Sequence, residues 1–213
     1  MNKIKQLPEF ITFTGLDDRT DLDEVDYLTT HYPIEIGILY SLKNRDARYP
    51  SKQTVAEACQ YRFIKSLHLC GQAARDFVEL RLPQDIDLEN FTRVQVNGSM
   101  VPKNVCDVFY DLYRTFIIEQ QHGNHEFDNR LNQLYDPSGG SGTIPSECPK
   151  LPNDGRLYGY AGGMGPDTVI DYLQMIDAEL GARYWIDMES NVRTNGWFDL
   201  GKVRKVCELV YDE

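Results

Sequence analysis

Eight short runs of β-branched, aromatic or otherwise apolar residues recur along this chain, and longer amphipathic stretches separate them. The runs cover residues 10–14, 34–40, 63–70, 93–97, 115–120, 131–135, 157–161 and 184–188. Gly15, Gly71, Gly98 and Gly162 each stop one of them. Composition and boundaries of this kind are strand signals. Between the runs, residues 21–32, 51–61, 72–82, 103–113, 167–180 and 199–210 carry apolar residues at helical spacing. Ser51 stands as an N-cap, and Pro166 precedes the fifth helix.

Strands that alternate with helices pair in parallel through right-handed crossovers. Eight such units predict an α/β chain closed into a compact (β/α)₈ TIM barrel. With 213 residues, one domain spanning 1–213 is expected. The pattern also admits an open doubly wound sheet. The weakest crossovers are the fifth and sixth. Residues 122–130 are short and polar, and 143–156 hold three prolines and read as mostly loop.

Charge narrows the function. There are 33 Asp and Glu against 22 Lys and Arg, a net charge of −11, with no basic block. That argues against a nucleic acid or an anionic membrane as partner. The acidic stretch 17–26 reads as a solvated face. No run of 18 apolar residues exists, and Pro8 and Glu9 interrupt any leader-like start, so a cytoplasmic protein is expected. Five widely spaced cysteines without a Cys-x-x-Cys pair read as free thiols. His122 and His125, with Glu119, Glu126 and Asp128 nearby, do not follow a tetrahedral ligand spacing, so no metal is expected. Gly163-x-Gly165 lacks the third glycine of a dinucleotide fingerprint. Trp185 and Trp197 read as packing residues.

A parallel barrel places its site at the C-terminal ends of its strands. After the seventh run stands YAGGMGPDTV, where Gly162 and Gly163 lie between a strand and a helix. Glycine lets a backbone approach a ligand, and a helix start offers free N–H groups to an anion. After the eighth run, Ser190 and the backbone of Asn191 add donors. Two adjacent units of this type suit a phosphate, although adjacent glycines also make ordinary tight turns.

These residues carry a family resemblance. In order along the chain stand Thr14-Gly15-Leu16, Ala47-Arg48-Tyr49-Pro50-Ser51 and Val94-Gln95-Val96-Asn97-Gly98. Leu134-Tyr135-Asp136 follows with Gly139-Gly140-Ser141-Gly142, then Ala161-Gly162-Gly163-Met164, then Ile186-Asp187-Met188-Glu189-Ser190-Asn191-Val192. With gaps, from about Phe13 to Val210, the chain resembles phosphoribosylanthranilate isomerase, the barrel enzyme of tryptophan biosynthesis. The resemblance implies an Amadori rearrangement of an N-phosphoribosyl aromatic amine from aldose to ketose, without cofactor or metal. It implies Asp136 as general acid and Arg48, with Arg45 as a near rival, as the anchor for a substrate carboxylate. Gly162, Gly163, Ser190 and Asn191, with Gly140 and Gly142 nearby, would hold the phosphate. The partner expected is a phosphorylated small molecule, and the fold is compatible with a homodimer.

The departures matter as much. The family's catalytic cysteine is Thr14 here, and a hydroxyl is a poor base. Cys70, Asp17 and Asp18 are the candidates to replace it, each with a plainer reading as core filler or loop cap. The family's histidine after strand four is Asn97, and its strand-eight glycine is Asn191. The alternatives are a barrel that binds a phosphorylated metabolite without turning it over, or a related phosphosugar isomerase.

Overall fold

The computed structural model describes residues 4–43, 46–98, 100–110, 130–138 and 142–212, together with the backbone of 116–121. Eight strands close into a barrel: β1 (Phe10–Thr14), β2 (Ile34–Tyr40), β3 (Lys65–Leu69), β4 (Arg93–Val96), β5 (Phe116–Gln121), β6 (Asn132–Tyr135), β7 (Tyr158–Ala161) and β8 (Tyr184–Met188). Every neighbouring pair is parallel, and β1 meets β8 with Thr12 beside Asp187 and Phe13 beside Met188. Each predicted run contains or overlaps one strand, and closure between β1 and β8 excludes the open sheet.

The helices are α1 (Leu22–His31), α2 (Lys52–Ala58), α3 (Gln72–Val78), α4 (Lys103–Val108), α5 (Val169–Ile176) and α6 (Leu200–Tyr211). Three of them start on side chains that satisfy free N–H groups. Asp21 accepts from Asp23 and Glu24, Ser51 from Thr54, and Asp199 from Lys202. Several ends fall short of the periodic pattern. Leu80 takes φ +60° just past α3, and Asp177 takes φ +44° at the end of α5, so left-handed residues stop the helices early. Residues 142–157 contain no helix, in line with their prolines. The polar stretch 122–129 and its histidines lie outside the described residues.

The core has two parts of different character. Ile11, Phe13, Ile36, Ile38, Val94 and Val96 point outward from the strands and join the helix faces in one apolar layer. The barrel's own interior is small and largely polar. Among the described residues, an apolar cluster inside it is formed by Leu134, Ala161 and Trp185, with Phe10 and Leu157 against them. Glu35 on β2 and Arg93 on β4 meet across the interior at 2.6 Å, and Thr12 on β1 donates to Glu35 at 3.0 Å. Arg93 also packs over the rings of Phe10 and Trp185, at 4.7 and 4.4 Å from their centroids. Burial pushes Glu35 up, but the charge and hydrogen bonds of Arg93 outweigh it, so Glu35 stays below the usual carboxylate range.

Candidate functional site

At the C-terminal ends of the strands a cavity of about 300 Å³ opens among Thr14, Arg48, His68, Cys70, Gln95, Asn97, Asp136, Asp187 and Glu189, with the glycine loops on one side. A larger cavity, about 860 Å³, lies at the opposite end of the strands, where apolar side chains such as Phe10, Ile34, Phe63 and Leu131 stand among charged ones such as Arg62, Arg93 and Arg183. The smaller cavity holds the converging polar groups and sits where a parallel barrel carries its chemistry.

The structure brings Thr14, Arg48, Asp136, Gly142, Gly162, Gly163, Ser190 and Asn191 onto this one cavity. Gly140 and Arg45 lie outside the described residues. The glycines do two things at once. Gly162 and Gly163 have φ of +105° and +72°, a region costly to residues with a Cβ. A Cβ on Gly163 would also meet the Ile144 nitrogen at 2.5 Å, and one on Gly165 would meet the Asn191 Cβ at 2.5 Å. The loops after β6, β7 and β8 therefore press together with no room for a side chain at Gly163 or Gly165. The Asn191 amide locks the arrangement by donating to the Gly163 carbonyl at 2.8 Å. Ser190 and Asn191 stay exposed at the rim.

Thr14 is buried, and its hydroxyl donates to Asp187 Oδ1 at 2.7 Å. Room for this comes from Gly37 on β2, where a Cβ would lie 2.4 Å from Thr14 Oγ1 and 2.9 Å from His68 Nε2. Asp187 is buried with its carboxyl raised to about 7. Burial is the main cause, and nearby Glu35 and Glu189 add to it, while the Thr14 hydrogen bond and Arg93 pull the other way. His68 stands beside Ser66, with 2.9 Å between Oγ and Nε2. Burial holds its pKa down to about 3, so the imidazole is neutral. Asp136 is buried, and one of its oxygens accepts from the backbone N–H and the hydroxyl of Ser138 at 3.0 and 2.6 Å.

Of the three candidates to replace cysteine as base, two lie elsewhere. Asp17 is fully buried beneath the first loop. It accepts from the backbone of Arg19 and Phe198 at 3.0 and 2.7 Å and lies 3.4 Å from Arg193. Asp18 accepts from the Ser51 N–H and the Thr54 hydroxyl, both at 2.6 Å, and ties β1's loop to the start of α2. Cys70 does line the cavity, 3.3 Å from the Asn97 amide, but burial pushes its thiol up, away from the thiolate a base would need.

Asp187, His68, Gln95 and Glu189 were not among the residues expected from the sequence. A signal for them exists. In Ile34-Glu35-Ile36-Gly37, Leu67-His68-Leu69 and Arg93-Val94-Gln95-Val96, a polar residue or glycine occupies every second position. In a strand covered by helices on its outer face, that alternation turns the polar positions into the barrel.

The five cysteines are unpaired. Among the described residues no cluster of three metal-ligating side chains occurs, and no helix is long and apolar enough to cross a membrane. Trp185 is fully buried, and Trp197 carries Arg19 over its ring at 3.6 Å, so both act in packing.

Solved structures share the fold. The orotidine 5'-monophosphate decarboxylase of Methanocaldococcus jannaschii, crystallised with the inhibitor BMP, superposes with a TM-score of 0.54 over 97% of this chain and 100% of that one. At 10% identity the likeness is one of fold. No protein-family model and no curated protein matches the chain. What the comparisons establish is a (β/α)₈ barrel of the architecture used by that decarboxylase.

Proposed function

We propose that this barrel binds a phosphorylated ribosyl amine and isomerises it from aminoaldose to aminoketose. The observation that carries the reading is the convergence of two buried carboxyl groups, Asp136 from the end of β6 and Asp187 from β8, on the cavity bounded by the glycine loops. The phosphate would lie on the backbone of Gly162, Gly163 and Gly142 and on Ser190 and Asn191. The similar decarboxylase was crystallised with the inhibitor BMP in a barrel of this architecture.

The reaction needs one proton given and one taken. Asp136 donates to the furanose ring oxygen as the C1–O bond breaks, leaving an iminium between C1 and the amine nitrogen. A base then removes the proton on C2, and the electron pair of that C–H bond forms the enolamine, which tautomerises to the ketose. Thr14 does not supply that base. Asp187, immediately behind it, is suited to the task, because a carboxyl raised to about 7 can take a proton and return it near neutral pH. The Thr14 hydroxyl holds one oxygen of Asp187 and so orients the other. Nothing is oxidised or reduced overall, so the scheme calls for no cofactor.

The test is conversion of freshly made N-(5-phosphoribosyl)arylamines, with anthranilate and with aniline as the amine, followed by chromatography of the ketose product. Turnover lost at least 100-fold in both Asp136→Asn and Asp187→Asn supports the scheme. Retained binding of ribose 5-phosphate without ketose from either amine would leave a phosphometabolite-binding barrel, the reading that the absent cysteine favours.

A further inference from the structure

Arg48 already faces two protein carboxylates, Asp46 and Glu189. Its Nε and Nη2 lie 3.4 and 3.2 Å from the two oxygens of Asp46, so one edge of the guanidinium fork is taken. Its Nη1 lies 3.5 Å from Glu189 Oε1, which reaches in from the end of β8. A bidentate grip on a ligand carboxylate needs two parallel N–H groups on one edge. The Nε/Nη2 edge is occupied by Asp46, and the remaining edge is shared between Asp46 and Glu189.

Glu189 itself keeps an unpaired buried oxygen. Its Oε1 is buried and has no hydrogen-bond partner, because 3.5 Å is an ion-pair separation without a hydrogen bond. Burial raises its carboxyl, and Arg48 and Arg193 restrain the rise. A second buried oxygen in the same cavity, Gln95 Oε1, also lacks a partner while the Gln95 amide nitrogen donates to Asn97 at 2.9 Å. Buried polar atoms left unpaired cost stability, and a ligand that pairs them recovers it. Among the described residues the cavity wall carries one guanidinium, Arg48, against three carboxyl groups, Asp136, Asp187 and Glu189. A phosphate already brings about two negative charges to this wall. A second anionic group on the same ligand would meet Glu189 at close range and could reach Arg48 only by displacing a protein carboxylate.

We infer that the part of the ligand lying beyond the phosphosugar carries no negative charge and donates hydrogen bonds, as an amine, an amide or a hydroxyl does, with Glu189 as the residue that selects for it. This rests on the phosphosugar reading above. Glu189 acts here both as an acceptor for the donor group and as a built-in occupant of the place on Arg48 that an aryl carboxylate would take.

The experiment uses the full chain and three stable reduced ligands that cannot isomerise: 1-anilino-1-deoxyribitol 5-phosphate, its 2-carboxyphenyl counterpart and its 2-aminophenyl counterpart. Titration calorimetry is run on wild type, Glu189→Gln and Asp46→Asn. The inference expects wild type to bind the carboxyphenyl ligand at least tenfold more weakly than the aminophenyl one. In Glu189→Gln that gap closes or reverses, and Asp46→Asn narrows it without abolishing it. Equal or tighter binding of the carboxyphenyl ligand by wild type, unchanged in Glu189→Gln, overturns the inference and leaves the phosphosugar site standing. If none of the three binds and ribose 5-phosphate does not bind either, the phosphosugar reading fails and takes the inference with it. Circular dichroism of both variants establishes that they are folded, and Asp46, exposed and outside the cavity wall, supplies an independent route to freeing Arg48.

Discussion

The hydroxyl of Thr14 donates to the carboxylate of Asp187 at 2.7 Å, across the seam where the first and last strands close the barrel. A residue that looks like a lost base is thus the hydrogen-bond donor to a buried acid behind it. Asp187→Asn keeps the size and removes the proton acceptor. It should lower kcat at least 100-fold while leaving ribose 5-phosphate binding within threefold, because the phosphate loops lie on other residues. Steady-state kinetics beside calorimetry separates the two effects.

Asp187 also gives the folding equilibrium a pH signature. Its carboxyl is raised from an ordinary 3.8 to about 7, so the folded chain keeps a proton that the unfolded chain releases between those values. The stability this provides is fully present below about pH 4 and drains away as pH rises toward 7, at up to about 1.4 kcal/mol per pH unit. Urea unfolding of wild type and Asp187→Asn at pH 5, 6, 7 and 8 should show wild type losing ground to the variant over the first two steps and holding level after the last.

Breaking the buried ion pair should be expensive, and replacing it whole should not. Glu35→Leu or Arg93→Met alone leaves one charge uncompensated among groups about 4% exposed, a loss of about 3–5 kcal/mol. The double variant Glu35→Leu with Arg93→Met should regain most of that. Denaturation midpoints of the two single variants and the double form the cycle, and a double variant as unstable as the sum of the singles would contradict this account.

Gly163→Ala tests the packed loops. The residue would have to hold φ near +72° and place a methyl 2.5 Å from the Ile144 nitrogen. A loss of about 1–3 kcal/mol is expected from backbone strain, with weaker phosphate binding because the loop has to shift. Gly155→Ala, also at positive φ but with open space around its Cβ position, serves as the comparison. It should cost less and leave phosphate binding intact.

Much of this architecture is legible in residue order. The eight strands, the cap at Ser51 and the loop character of 143–156 follow from local chemistry that works the same way in any context. The site is legible where backbone freedom marks it, as at Gly162 and Gly163. It is hidden where it depends on which strand closes against which. Thr14 and Asp187 are 173 positions apart, and only the β1–β8 pairing brings them together. Asp17 shows the opposite failure. Its neighbourhood is acidic and reads as solvated, yet after β8 the antiparallel pair of Arg193–Thr194 with Trp197–Phe198 folds back over it, and Asp17 is fully buried.

The salt bridge of Glu35 with Arg93 bears on how the chain finds its closed form. Parallel strands slide past one another easily, because every register offers the same backbone hydrogen bonds. In this barrel a slip of one residue in β2 or β4 turns a full charge out of its ionic partnership and into the layer under the helices. The pair therefore acts as a proofreader of assembly. Misaligned closures are penalised by several kilocalories.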